Sequence, residues 1–254
     1  MLGLGSNISK TGKLGVHDLG IVTSDLVLKH NYDLSSVQPL STGAADINAD
    51  AAANEYINVG AIPITTNDVT ISAWVYVATF VDEAGILSNR ITSGSKQGIE
   101  LRCDSDGFEM IIDEAASGST ASASTAKNTN QWYHVCGVWD RDGSQYMYVD
   151  GVLESSSSIV NRDESLTHAQ AVSIGKNHGG TDFRGYICNV GYWNRVLTQA
   201  EIKSIMNKNY AGLTSSEKED LVSWWNLDEE TATDGTAGTG GIKDYHSTNH
   251  GTLS

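Results

Sequence analysis

Hydrolysis of a glycosidic bond needs two carboxylates flanking the bond, one acting as acid and the other as base or nucleophile. The densest acidic run with strand character is Glu109-Met110-Ile111-Ile112-Asp113-Glu114, and a period of two puts Glu109 and Asp113 on one face of it. That run reads as a solvated strand edge rather than as a catalytic pair. There is no G-x-S-x-G elbow to present a serine and no H-E-x-x-H helix to hold zinc. His134 stands in a dense apolar run and is expected to be a packed imidazole, so the chain is not expected to be an enzyme. A hard cation such as Ca²⁺ wants several oxygens, and Asp46, Asn48 and Asp50 are the candidate ligands. Asp140-Arg141-Asp142-Gly143-Ser144 looks superficially like a calcium loop, but lacks a downstream bidentate Glu and reads as a hairpin turn. No other cofactor is expected. Sugar recognition needs an exposed aromatic plus amides and carboxylates. Trp132, Trp139, Trp193, Tyr146, Tyr148 and Tyr192 supply rings, though tryptophans in such strands are usually core. Two polar loops could form a rim, with Asn177, His178 and Asp182 in one and Lys96 and Gln97 in the other.

The elements that must position these groups are short strands. From Trp132 to Asp140, Tyr133, Val135, Gly137 and Trp139 fall on one face and Trp132, His134, Cys136 and Val138 on the other. Asp140 to Ser144 reverses the chain, Tyr146 to Asp150 returns, and Asp150-Gly151 is a turn whose positive backbone angles suit a twisted hairpin. Asp68–Ala78, Gly85–Arg90, Gly98–Cys103 and Phe108–Ile112 are further strands. Between Ile187 and Val190 the apolar spacing is odd, which predicts a bulge. The Ser/Thr/Ala runs at 115–130 and 154–158 read as surface loops. Thr198-Gln199-Ala200-Glu201 has the form of a capping box, with Ile202, Ile205, Met206 and Tyr210 following at helical spacing. A second short helix is expected near Ser216-Glu217-Lys218-Glu219. The pattern is that of an antiparallel all-β sandwich with one or two short helices.

The runs W-Y-H-V-C-G-V-W-D from Trp132, Y-V-D-G-V from Tyr148, S-I-G from Ser173 and F-R-G-Y-I-C-N-V-G-Y-W-N-R-V-L from Phe183 carry a resemblance. Together with Val69–Tyr76 they resemble the laminin-G-like and pentraxin group of concanavalin A-like jelly rolls. That resemblance implies a jelly-roll domain over residues 21–212, between an N-terminal arm at 1–20 and a C-terminal extension at 213–254. It places an entering strand near Leu26–Asp33. It also implies a disulfide partner for Cys136 near Ser72, which is not a cysteine. Pentraxin-type calcium ligands would fall at Lys176-Asn177-His178, where one amide and no carboxylate stands. The E-x-D-x-E run of jelly-roll glycosidases is absent. Leu221–Asp228 with Asp244–Leu253 resembles a second entering-strand motif, either a last strand of the sandwich or a segment that docks elsewhere.

The net charge is −15. So acidic a surface disfavours nucleic acid, and no apolar run is long enough to span a membrane. The three cysteines are widely spaced and expected to be buried and reduced. The opening residues carry no secretion signal. These features, with terminal segments in need of outside partners, lead to the expectation of a non-enzymatic structural or adhesion protein in a virion, assembled in a host cytoplasm. The resemblance extends to laminin-G-like domains of phage virion proteins with this style of ending, and it implies a bacteriophage capsid-decoration or fibre protein. Leu2, Leu4, Trp224 and Trp225 would dock on the major capsid protein or on neighbouring copies in a homo-oligomer. The alternative is a soluble or surface carbohydrate-binding module that meets host glycans.

Overall fold

The computed structural model describes residues 39–47, 55–91, 94, 96–114, 117–122, 126–229 and 241–253. In chain order the strands are β1 (Ala45–Ile47), β2 (Ile57–Asn58), β3 (Val69–Val77), β4 (Gly85–Ser88), β5 (Gly98–Cys103), β6 (Phe108–Glu114) and β7 (Ser117–Ser122). They continue as β8 (Trp132–Trp139), β9 (Ser144–Val149), β10 (Val152–Ser158), β11 (Ser173–Ile174), β12 (Gly185–Trp193), β13 (Leu221–Trp225) and β14 (Thr252–Leu253). One helix, α1 (Gln199–Ile205), and a 3₁₀ turn at Tyr210–Gly212 complete the set.

All pairings are antiparallel, in two seven-stranded sheets. The first sheet runs β1-β12-β3-β8-β9-β10, with β13 also on β12, and the second runs β14-β2-β11-β4-β5-β6-β7. This is the expected sandwich of jelly-roll type. The inner faces make the core: Ile71, Ala73, Val75 and Val77 of β3 meet Ile99, Leu101 and Cys103 of β5 and Met110 and Ile112 of β6. Alternation along β8 is as the residues dictate, with Tyr133, Val135 and Trp139 in that core. Cys136 and Val138 face outward, under α1. The Asp150-Gly151 turn has both φ positive, at 50° and 72°. The predicted bulge lies in β12, where register with β3 shifts between Cys188 and Gly191 and Asn189 takes φ 48°.

Helix α1 begins as its sequence predicts. Thr198 accepts from Glu201 N–H while the Glu201 carboxylate accepts from Thr198 N–H, a reciprocal capping box. Ile202 and Ile205 bury against Val138, Trp193 and Trp224 on the outer face of the first sheet. The second helix is absent. Residues 215–220 form turns in which Glu217 accepts from Thr214 N–H at 2.7 Å and from Lys208 Nζ at 2.6 Å.

Both low-complexity runs need correcting. Ser117–Ser122 is the edge strand β7 on β6, and Val152–Ser158 is the edge strand β10 on β9. A ladder requires only backbone N–H and C=O groups, so a run without large apolar residues can still form an edge. Consequently β6 is no edge.

The docking role expected of Trp224 and Trp225 is also corrected. They are 1% and 0% exposed, because β13 pairs with β12 and carries both into the interior. Trp224 packs edge-to-face on Trp193 with centroids 5.9 Å apart. A Cβ on Gly191 would come within 2.5 Å of Trp193 and 2.8 Å of Trp224, so only glycine fits between them. The far tail is tied in by Asp244, whose carboxylate accepts from Trp224 N–H at 3.1 Å, His246 N–H at 2.9 Å and Ser247 Oγ at 2.6 Å. Residues 213–229 and 241–253 therefore belong to the sandwich rather than to an appendage. The arm at 1–20, Leu2, Leu4 and the entering strand near Leu26–Asp33 lie outside the described residues. Trp225→Ala should cost about 3–5 kcal/mol in chemical denaturation, whereas a surface docking residue would leave the midpoint in place.

Candidate functional site

The site grows out of a short strand. β11 stops after two residues because Gly175 turns the chain at φ +90°, where a Cβ would press within 2.8 Å of Ile47. The chain then folds into a tight hairpin from Lys176 to Asp182. Asn177, 2% exposed, is its staple. Its N–H bonds Thr181 O at 3.0 Å, its Oδ1 accepts from Thr181 N–H at 2.8 Å, and its Nδ2 donates to Glu83 O at 2.6 Å.

His178 is held on both ring nitrogens. Ala171 O can only accept, so Nε2 at 2.9 Å carries the proton and Nδ1 accepts from Gln170 Nε2 at 2.9 Å. Burial pushes its pKa down and the charge on Lys176 adds to this, so the ring stays neutral. Lys176 lies 3.5 Å from Asp182 and 4.9 Å from the centre of the Tyr56 ring. Together these groups border a cleft of about 330 Å³ lined by Tyr56, Asn58, Gln170, Lys176, His178 and Gly180. Beside the braced hairpin it sets the Tyr56 ring with Lys176 Nζ over it, the Asn58 amide, and the Gln170 amide, one N–H of which is given to His178.

Of the residues expected to bind sugar, Asn177 and His178 are at the cleft, but their polar atoms are spent on the hairpin and on Gln170. Asp182 stands behind Lys176. Lys96 and Gln97 do not line the cleft; Lys96 is exposed, and Gln97 Nε2 donates to Ser165 O at 2.7 Å. Tyr56 and Asn58 escaped notice, although alternation with buried Ile57 and Val59 could have marked them as one outward face. No local signal marks Gln170, which reaches the cleft from the segment leading into β11.

The metal candidates are not assembled. Asp46 is exposed on β1, while Asn48 and Asp50 lie outside the described residues. Among the described residues no cluster of three His, Cys, Asp or Glu is placed to hold an ion. The Asp140–Ser144 segment is the expected hairpin turn, closed by Asp140 N–H to Ser144 O at 3.1 Å.

Glu109 and Asp113 share a face as expected, but not as a solvated edge. Glu109 accepts from Arg102 Nε at 2.8 Å and Asp113 is bonded to Arg90 Nε. Arg102 also reaches Glu83 at 3.0 Å and Arg90 reaches Glu100 at 3.4 Å. β7 covers the flank, and Asp113 is buried. Carboxylates committed to guanidinium groups are not free to face a substrate. His134 and Ser72 are 2.8 Å apart, but both are buried. Burial pushes His134 down to about 3, so this pair is packing rather than a nucleophile and base. Ser72 faces Cys136 across β3 and β8, and all three cysteines are free and buried. Among the ring candidates Trp139, Trp193 and Tyr192 are buried, Tyr146 and Tyr148 lean on the α1 cluster, and Trp132 remains partly open. No helix of the described residues is long and apolar enough to cross a membrane.

The laminin-G-type family model described as the concanavalin A-like lectin/glucanases superfamily matches residues 50–203. No curated protein matches the chain. Solved structures that do include one from Bacteroides ovatus, described as a candidate carbohydrate binding protein, at 22% identity and TM-score 0.63, over 83% of this chain and 57% of that one. The chain thus spans little more than half of that structure. The heptameric SAP-like pentraxin of Limulus polyphemus matches at 18% identity and TM-score 0.48, covering 68% of this chain and 79% of its own. Domain 4 of an extracellular arabinanase from Geobacillus stearothermophilus, in complex with arabinotriose, matches at 17% and 0.47, covering 59% and 70%.

The buried charges carry a pH signature. Burial pushes Glu100 from 4.5 up to about 7, against the pull of Arg102 and Arg90. A raised carboxyl binds more protons folded than unfolded, so its contribution is present below about pH 4.5 and lost as pH rises toward 7. His134 has the opposite slope, its contribution being lost as pH falls below 6.5, so variant and parent must be compared. Relative to the parent, Glu100→Gln should gain on the order of 2–3 kcal/mol in unfolding free energy between pH 4.5 and 7.5. Denaturant titrations at the two pH values measure this difference.

Proposed function

The chain belongs to the concanavalin A-like lectin/glucanases superfamily, and from that premise we propose that it is a non-enzymatic carbohydrate-binding module with its ligand in the Tyr56–Lys176 cleft. The observation that carries this reading is the composition of that cleft: an aromatic ring beside the amides of Asn58 and Gln170 and the ammonium of Lys176, on a rigid hairpin. Sugars present C–H faces to rings and hydroxyls to amides, and a preformed wall lowers the ordering cost of binding. The Bacteroides ovatus protein, described for carbohydrate binding, shares the fold and supports the ligand class. Against catalysis stands the pairing of Glu109 and Asp113 with arginines. Of the residues the phage-virion reading relied on for docking, Trp224 and Trp225 are buried, while Leu2 and Leu4 lie outside the described residues.

A glycan array on the purified chain should show binding to at least one oligosaccharide class. Tyr56→Ala should then weaken that binding about tenfold, the equivalent of about 1.4 kcal/mol, with an unchanged melting temperature. An array without binding, or hydrolysis of a bound glycan, would overturn the reading.

A further inference from the structure

The outer face of the first sheet is covered unevenly. Helix α1 and the residues after it close over Val138, Trp193, Trp224 and Trp74, the last donating its indole N–H to Met206 O at 2.9 Å. One step along the strands the cover ends. There, strand register sets four side chains in a line across β1, β12, β3 and β8: Asp46 opposite Tyr186, Tyr186 opposite Tyr76, and Tyr76 opposite Trp132. The ring centroids are 5.5 Å apart from Tyr186 to Tyr76 and 5.7 Å from Tyr76 to Trp132. Tyr186 is 37% exposed, Asp46 is exposed, and Tyr76 and Trp132 are partly open. The other five tryptophans are all buried.

We propose that this row, Asp46–Tyr186–Tyr76–Trp132, is a second carbohydrate-binding surface, for a neutral oligosaccharide, separate from the Tyr56–Lys176 cleft. It shares with the function proposed above only the ligand class. One exposed and two partly open rings stand in line here, a continuous aromatic strip left uncovered by the helix. Each outer ring is inclined to Tyr76, by 55° and 64°. This relief suits puckered sugar rings, whose C–H groups meet the negative ring faces, better than a flat aromatic ligand that stacks in parallel. The phenolic groups and the Asp46 carboxylate supply hydrogen-bond partners for hydroxyls. Charge selects among sugars: a carboxylate at the end of the row, on a chain of net charge −15, repels sulfated or uronic glycans and leaves neutral ones.

The test uses the full chain with cellohexaose and maltoheptaose as neutral probes and a heparin hexasaccharide as the acidic one. Calorimetry measures affinity, and intrinsic fluorescence reports on Trp132, the one partly open tryptophan. The expected result is binding of at least one neutral probe at micromolar to millimolar concentration, with a shift in tryptophan emission. Tyr186→Ala should weaken it at least tenfold at an unchanged melting temperature, and the heparin fragment should leave the emission unmoved. Tyr186→Ser serves as a second variant should the alanine form melt early. If Tyr56→Ala removes all neutral-probe binding and the Tyr186 variants remove none, the cleft is the site and the row is not. If the Tyr186 variants remove it and Tyr56→Ala does not, the row stands and the cleft is not the site for these probes. No binding of either neutral probe, or a concentration-dependent dimer that Tyr186→Ala dissolves without any sugar effect, would overturn the proposal.

Discussion

The first sheet is bound to the rest of the chain through indole N–H groups. A buried tryptophan brings a large apolar body and one donor that is costly to leave unpaired; of the five buried indoles, that of Trp139 alone has no partner. Trp74 gives its proton to Met206 O at 2.9 Å, Trp193 to Glu217 O at 2.8 Å, Trp224 to Asn226 Oδ1 at 2.8 Å and Trp225 to Asn249 O at 2.8 Å. Three of these bonds fasten a peripheral segment, the end of α1, the turn after it or the returning tail, while that of Trp224 stays at the end of its own strand. Without those acceptors the indoles would be buried with unmade bonds, and without the indoles the periphery would lose much of its anchorage.

This division of labour decides where recognition can occur. Rings spent on anchoring cannot meet a ligand, which removes four of the six tryptophans that the sequence offers. Among the rings left partly open are Tyr56, beside the Lys176–Asp182 hairpin, and the Tyr186–Tyr76–Trp132 row. The hairpin is also made stiff by its own polar groups. Asn177 satisfies backbone atoms on either side of the turn and on Glu83, so the cleft wall is in place before any ligand arrives.

The charged groups follow the same logic on the second sheet. Arg90 and Arg102 span Glu100, Asp113, Glu109 and Glu83 across β4, β5 and β6. Glu100 is fully buried with one carboxylate oxygen unpartnered, so it favours its proton, while Glu109 and Asp113 are held by guanidinium groups. A carboxylate pair that shares a face can thus be structural, and only its partners show this.

By itself the amino-acid order determined the faces of β8, the Asp150-Gly151 hairpin, the β12 bulge and the Thr198–Glu201 cap. All of these are local: a period of two, a turn dipeptide or a reciprocal cap acts within a few residues. Only the tertiary structure decided that Ser117–Ser122 and Val152–Ser158 are edge strands and that Trp224 and Trp225 are core. It alone placed Asn177 as a staple, brought Tyr56 and Gln170 to one cleft, and aligned Asp46 with Trp132. Each of these depends on which strand lies alongside, a matter of pairing between residues far apart in the chain, and a side-chain alphabet with a period of two carries no record of its neighbour.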